Sequence, residues 1–192
     1  MGWLAGRMVE WLMIHEAVAK EDRELYEYAA VCVLMTVAPL FMAILLGGLM
    51  GELRTGIIMI LPFIALRKFS GGYHAKHMGT CWFGSFGLLA VCTWLAARLV
   101  YSWQLCAGMF LGAMGLFLLS PVDSENRRLD EEDKKRYRHV TGGLSFIICI
   151  VSVLWKLCGD EKAAVCMAIG LLLTSVLQIP CVLHKVIGNM KT

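Results

Sequence analysis

Charge is scarce in this chain. Charged residues make up 17% of its 192 positions, and the apolar segments that recur along it hold none away from their ends. Ion-coupled transporters place ionisable groups at mid-membrane within their spans, whereas Glu27, Arg98 and Lys156 are all terminal here. A small transporter or peptide-export subunit without proteolytic activity is therefore the alternative function, not the first. Internal repeats, low-complexity tracts and flexible linkers are missing as well, and the length leaves no room for a second domain. A cleavable signal peptide is not expected, because Glu10, His15 and Glu16 stand where its apolar core belongs. The Gly71-Gly72 pair lacks the GxGxxG and GxxxxGK[ST] spacings, so no nucleotide is expected; neither is a nucleic-acid partner. The eight cysteines do not suggest a disulfide framework. Cys32, Cys92, Cys106, Cys149, Cys166 and Cys181 lie within apolar spans and Cys158 just beyond one, where thiols act as small hydrophobes.

What is abundant is apolar. With 58% hydrophobic residues and a mean hydropathy of +0.67, the chain reads as an all-α integral membrane protein. It forms one polytopic domain over 1–192, with an interfacial segment over 1–25 and a transmembrane core over 26–192. The expected spans are Tyr26 to Leu49, Thr55 to about Leu66, Trp82 to Leu99, Trp103 to Leu119, Thr141 to Leu157 and Ala163 to Leu183. The second is short: twelve residues rise about 18 Å against roughly 30 Å of hydrocarbon, and Pro62 kinks it. Either it is a short span or it continues through Arg67 and Lys68 while their side chains snorkel. Gly2 to Arg23 mixes Trp3, Leu4, Met8, Trp11, Leu12 and Ile14 with charges, as an amphipathic helix lying in the interface does; a solubilising tail is the alternative.

Positive charge orients the spans. With six spans and the N-terminus inside, Arg67, Lys68, Lys76 and the run Arg127 to Arg138 all fall on the cytoplasmic side, and only Arg54, Arg98, Lys156 and Lys162 fall outside. Reading the second span as a re-entrant loop leaves five spans. The charge bias supports six.

One polar break can support covalent chemistry. It runs Arg67-Lys68-Phe69-Ser70-Gly71-Gly72-Tyr73-His74-Ala75-Lys76-His77-Met78-Gly79-Thr80-Cys81. Cys81 is expected at a helix start, where unpaired N–H groups and the positive end of the macrodipole favour thiolate. An imidazole beside it supplies a general base. In an unbroken helix His77 shares a face with Cys81, whereas a chain folded back at Gly71-Gly72 brings His74 close. Spacing leaves both open. A zinc site at His74, His77 and Cys81 has three ligands and no carboxylate near in sequence; His139 is the available fourth. No metal and no other cofactor is expected.

Arg67, Gly71-Gly72-Tyr73-His74-Ala75, Cys81 and Ser85, followed by Pro121-Val122-Asp123-Ser124-Glu125-Asn126-Arg127, resemble the AgrB family of accessory gene regulator proteins. These are bacterial membrane cysteine endopeptidases of quorum sensing. The resemblance implies that His74 and Cys81 are the catalytic pair, so it selects His74 over His77, and it matches Arg67 and Gly72 to further family positions. Ser120-Pro121 stands where Ala-Pro is expected, and Glu125 where proline is common.

The implied substrate is an AgrD-type propeptide with an amphipathic helix, a central cysteine or serine and an acidic C-terminal tail. The implied product is a cyclic thiolactone or lactone, made at the plasma membrane with the active site facing the cytoplasm. Ser70, Thr80 or Ser85 is available to orient the imidazole or to donate to an oxyanion, and Arg67 to bind a carboxylate. Arg127, Arg128, Lys134, Lys135 and Arg136 attract an acidic tail and the anionic inner leaflet, or, with Asp130 to Asp133, form a solvated charged loop that sets topology. The lipid bilayer is the second partner, and the resemblance allows a homodimer.

Overall fold

A computed structural model of the chain describes residues 2–15, 17–70, 78–121 and 130–189, with side chains over 3–15, 17–70, 83–121 and 130–181. The described residues are α-helical and contain no strand: α1 Gly2–Ile14, α2 Arg23–Leu49, α3 Leu53–Ser70, α4 Met78–Arg98, α5 Trp103–Leu119, α6 Glu131–Leu157 and α7 Glu161–Asn189. A 3-10 turn over Lys20–Asp22 leads into α2. Among these residues Lys20–Leu49, Glu131–Leu157 and Glu161–Cys181 are long and apolar enough to cross a membrane, and Phe83–Arg98 and Trp103–Leu119 are shorter apolar helices. The protein is an all-α membrane protein.

The chain divides into two units, Met1–Met42 and Ala43–Thr192. In the first, α1 leaves Trp3, Leu4, Met8, Trp11 and Ile14 exposed. The Arg7 guanidinium stands 5.5 Å from the Trp3 ring centre, an arrangement that suits the headgroup region. Arg23 Nε donates to Glu27 Oε1 at 2.8 Å across one turn of α2. Thr36 Oγ1 donates back to the Cys32 carbonyl at 2.9 Å, and Pro39 follows within the helix.

In the second unit α7 is the central helix. Every residue from Ala163 to Leu171 is buried; α3, α5 and α6 pack against α7 most extensively, while α4 touches α7 and α3 more lightly. Leu66 of α3, Met109 and Leu116 of α5, Ile148 and Cys149 of α6, and Met167, Ala168 and Leu171 of α7 form the core. α3 and α7 approach backbone to backbone, since a Cβ at Gly170 would overlap the Met59 carbonyl oxygen and press on Pro62. Small residues at such crossings are how membrane helices gain packing without a hydrophobic drive between them.

Several boundaries differ from expectation, two of them at the ends that concern the site. α3 has eighteen residues, about 27 Å, so the weak second span does continue through Arg67 and Lys68. Both side chains lie in its last turn, where cations suit the negative end of the macrodipole. α6 begins at Glu131, ten residues before the expected Thr141, and the stretch expected as a charged loop is helical from there. Glu131, Glu132 and Asp133 occupy its first turn, where carboxylates stabilise the free N–H groups.

Short turns join the helices. Gly159, with φ 89°, ends α6, and the Asp160 N–H reaches the Trp155 carbonyl at 2.9 Å, a Schellman closure. Asp160 then caps α7, its Oδ1 accepting from the Ala163 N–H at 3.1 Å. Apart from Cys81, the cysteines are free thiols, with Cys92, Cys149 and Cys166 buried.

Candidate functional site

The site is built at the ends of α3 and α5, where the chain leaves two apolar helices. α5 stops at Ser120, whose backbone turns extended at ψ 153° ahead of Pro121, as a residue before proline prefers; its N–H still donates to the Leu116 carbonyl at 3.0 Å. α3 stops at Ser70, directly before residues 71–77. Ser70 and Ser120 are both buried, and α7 brings Gln178, 1% exposed, between them. Gln178 Nε2 donates to Ser120 Oγ at 2.9 Å and to the Ser70 carbonyl at 3.4 Å. An amide inside an apolar bundle must find such partners, because unmade hydrogen bonds are costly where no water replaces them. Each interhelical bond of this kind contributes roughly 0.6 kcal/mol, so their main effect is geometric.

The charged start of α6 closes against the same end. Arg138 Nε donates to the Ser120 carbonyl at 3.2 Å, and the Tyr137 and Phe69 rings stand 6.0 Å apart, tilted. Thus α3, α5, α6 and α7 all contribute to one polar cluster. Lys134 Nζ donates to Glu131 Oε1 at 3.0 Å, while Lys135 and Arg136 are exposed. His139 Nδ1 lies 2.7 Å from the Lys135 carbonyl, engaged within its own helix.

Arg67 is half-buried on α3 and Ser85 exposed on α4. α4 begins at Met78, so Cys81 falls in its first turn, as the glycine and threonine before it predict; its side chain and that of Thr80 lie outside the described residues. His74, Gly71, Gly72, His77, Arg127 and Arg128 lie outside them too. Of the described candidates, Ser70 belongs to this cluster, and Lys135 and Arg136 lie exposed on α6 next to Tyr137 and Arg138, which reach it. Ser85 is not in that cluster. Gln178, Ser120 and Arg138 were missed by reasoning from the sequence. Only Gln178 carried a signal there, as the one amide between Ala163 and Leu183.

The opposite end of this unit is a separate polar layer. Lys162 Nζ lies 2.9 Å from Glu52 Oε1 and Arg54 pairs with Asp160, so the α2–α3 and α6–α7 turns are cross-braced. Lys162 and Thr55 bond the Glu52 carboxylate and hold it below its ordinary range. The Ala163 N–H, and after it Arg54, do the same for Asp160.

Comparison with known proteins bears on the family. The sequence profile of the family described as Accessory gene regulator B matches residues 5–179. Putative AgrB-like protein 2 of Clostridium perfringens (strain 13 / Type A) is 22% identical over 125 residues, covering 60% of this chain and 58% of that protein's length. No solved structure gives a significant match.

Proposed function

The chain belongs to the accessory gene regulator B family, and from that premise we propose that it is a membrane cysteine endopeptidase that trims and cyclises a quorum-sensing propeptide. The observation that carries the proposal is the extent of the match, which runs from residue 5 to residue 179 and so encloses both Gly71-Gly72-Tyr73-His74-Ala75 and Cys81. The helix start at Met78 supports Cys81 as nucleophile, because free N–H groups of a first turn stabilise a thiolate.

In this reading His74 takes the proton from the Cys81 thiol, and the sulfur attacks the carbonyl ahead of the acidic tail. The C–N bond breaks, His74 returns the proton to the leaving amine, and a thioester remains on Cys81. The propeptide's own thiol then takes the acyl group, closing a thiolactone and releasing Cys81. Scarce water at a lipid edge favours capture over hydrolysis. Exchange between thioesters is nearly isoenergetic, so loss of the tail draws the reaction forward. Arg67, Lys135 and Arg136 are the described cations suited to guiding that tail.

Six spans with both termini in the cytoplasm complete the proposal. Its support is that α3 continues as a helix through Arg67 and Lys68 instead of turning back, and that six spans gather the excess of Arg and Lys on one side. The test is cleavage of an AgrD-type propeptide by the chain in lipid vesicles, with release of the tail by wild type and none by Cys81→Ala.

A further inference from the structure

Gln178 is buried on α7, and its single amide nitrogen serves acceptors from two other helices, 58 and 108 positions away in the chain. Neither acceptor is an arbitrary neighbour. Ser70 is the last residue of α3 and Ser120 the residue that ends α5, so each is the point from which a polar segment leaves the bundle. Ser120 is held from a third side by Arg138. One amide therefore ties together the two exits that the histidine-bearing and arginine-bearing segments depart from. Satisfying a buried amide does not require this, since an apolar side chain of equal volume would fill the place with no polar group to satisfy.

Resting on the endopeptidase reading, we propose that Gln178 is a positioning residue: its amide fixes the end of α3 against the end of α5, so that the segment leaving Ser70 and the segment leaving Ser120 start from one rigid base. It does not touch the reacting atoms. It acts through the Ser70 carbonyl and the Ser120 hydroxyl, and its effect falls on the chemical step more than on substrate capture, because small displacements of a catalytic group are amplified in rate.

The experiment uses the full chain in vesicles of phosphatidylethanolamine and phosphatidylglycerol, with a propeptide carrying an acidic tail. Gln178→Met keeps volume and removes the donor. It should unfold near the wild-type temperature, lose about tenfold or more in kcat and change KM by less than about twofold. A kcat within about twofold of wild type overturns the proposal. Should that variant fail to fold, Gln178→Glu decides. A protonated carboxyl retains an O–H donor for Ser120 and an ionised one does not, so its kcat relative to wild type should fall as pH rises from about 6 to about 9. A ratio flat in pH overturns the proposal. A third arm needs no turnover: with the other seven cysteines replaced, Gln178→Met should slow alkylation of Cys81 by N-ethylmaleimide about threefold. An unchanged rate overturns the tether even if cleavage is lost. If Cys81→Ala still cleaves, the endopeptidase reading falls and the alkylation arm alone judges Gln178.

Discussion

Lys162 Nζ spans both oxygens of the Glu52 carboxylate, at 2.9 and 3.1 Å, and so joins the start of α7 to the turn that opens α3. Glu52 is lowered chiefly by Lys162, and Asp160 by the Ala163 N–H and then Arg54. A carboxyl lowered on folding stabilises the fold above its unfolded value near about 4, and that stabilisation is lost as pH falls through the lowered value. Thermal midpoints in detergent should therefore not vary on account of these groups between neutrality and about pH 5, where their stabilisation is fully present, and should drop below about pH 4. Glu52→Gln should lose part of the acid-sensitive drop, and salt should shrink it because both pairs are exposed. An identical acid profile in Glu52→Gln would remove Glu52 from this account.

The proposed chemistry turns on Cys81 and His74. Cys81→Ala should abolish tail release while Ala or Ser at the other seven cysteines is tolerated, as free thiols within a packed helical protein would be. His74→Ala should be nearly as damaging, since nucleophile and base act as one unit, and His77→Ala should retain most activity. A propeptide whose internal cysteine is alanine cannot close the ring, so wild-type enzyme should accumulate a hydroxylamine-sensitive thioester, read as a mass shift on the Cys81 peptide. Finding His77 essential and His74 dispensable would return the base to simple helix geometry.

Lys135 and Arg136 are the exposed cations at the start of α6, whereas Lys134 is already bonded to Glu131. Replacing Lys135 and Arg136 with glutamine should raise KM for an acidic-tailed propeptide more than it lowers kcat, and rising salt should narrow the gap. Lys134→Gln alone should do less. Equal KM values at low salt would leave these residues with topology as their role.

Sidedness is tested by labelling. Cysteines placed at Met78 and at Asp133 should both resist impermeant maleimides in intact cells and react in inverted vesicles. Reaction of either from outside would reject the six-span arrangement.

Much of the fold was legible because apolar runs and their flanking charges are local properties. The ends of α2, α5 and α6 at Leu49, Leu119 and Leu157 fall where the hydropathy breaks. The start of α6 was not legible, because a block of four acids followed by four bases looks like solvated loop until Glu131, Glu132 and Asp133 are seen to occupy a first turn. The candidate pair His74 and Cys81 was readable only as a motif, since spacing alone left His77 open. The role of Gln178 was unreadable for another reason: the partners that give one amide its meaning lie on different helices, and no periodicity within α7 points to Ser70 or Ser120.

The close approach of Gly170 to Met59 makes α3 a post that is pinned at three heights, by Glu52 and Lys162 at one end, by that backbone contact midway and by Gln178 at the other. Among the described residues α4, which carries Cys81 in its first turn, has no comparable set of fastenings and leaves Phe83, Val91 and Trp94 exposed. One flank of residues 71–77 is thus tied by hydrogen bonds as well as packing, and the other is held by packing against α7 and α3.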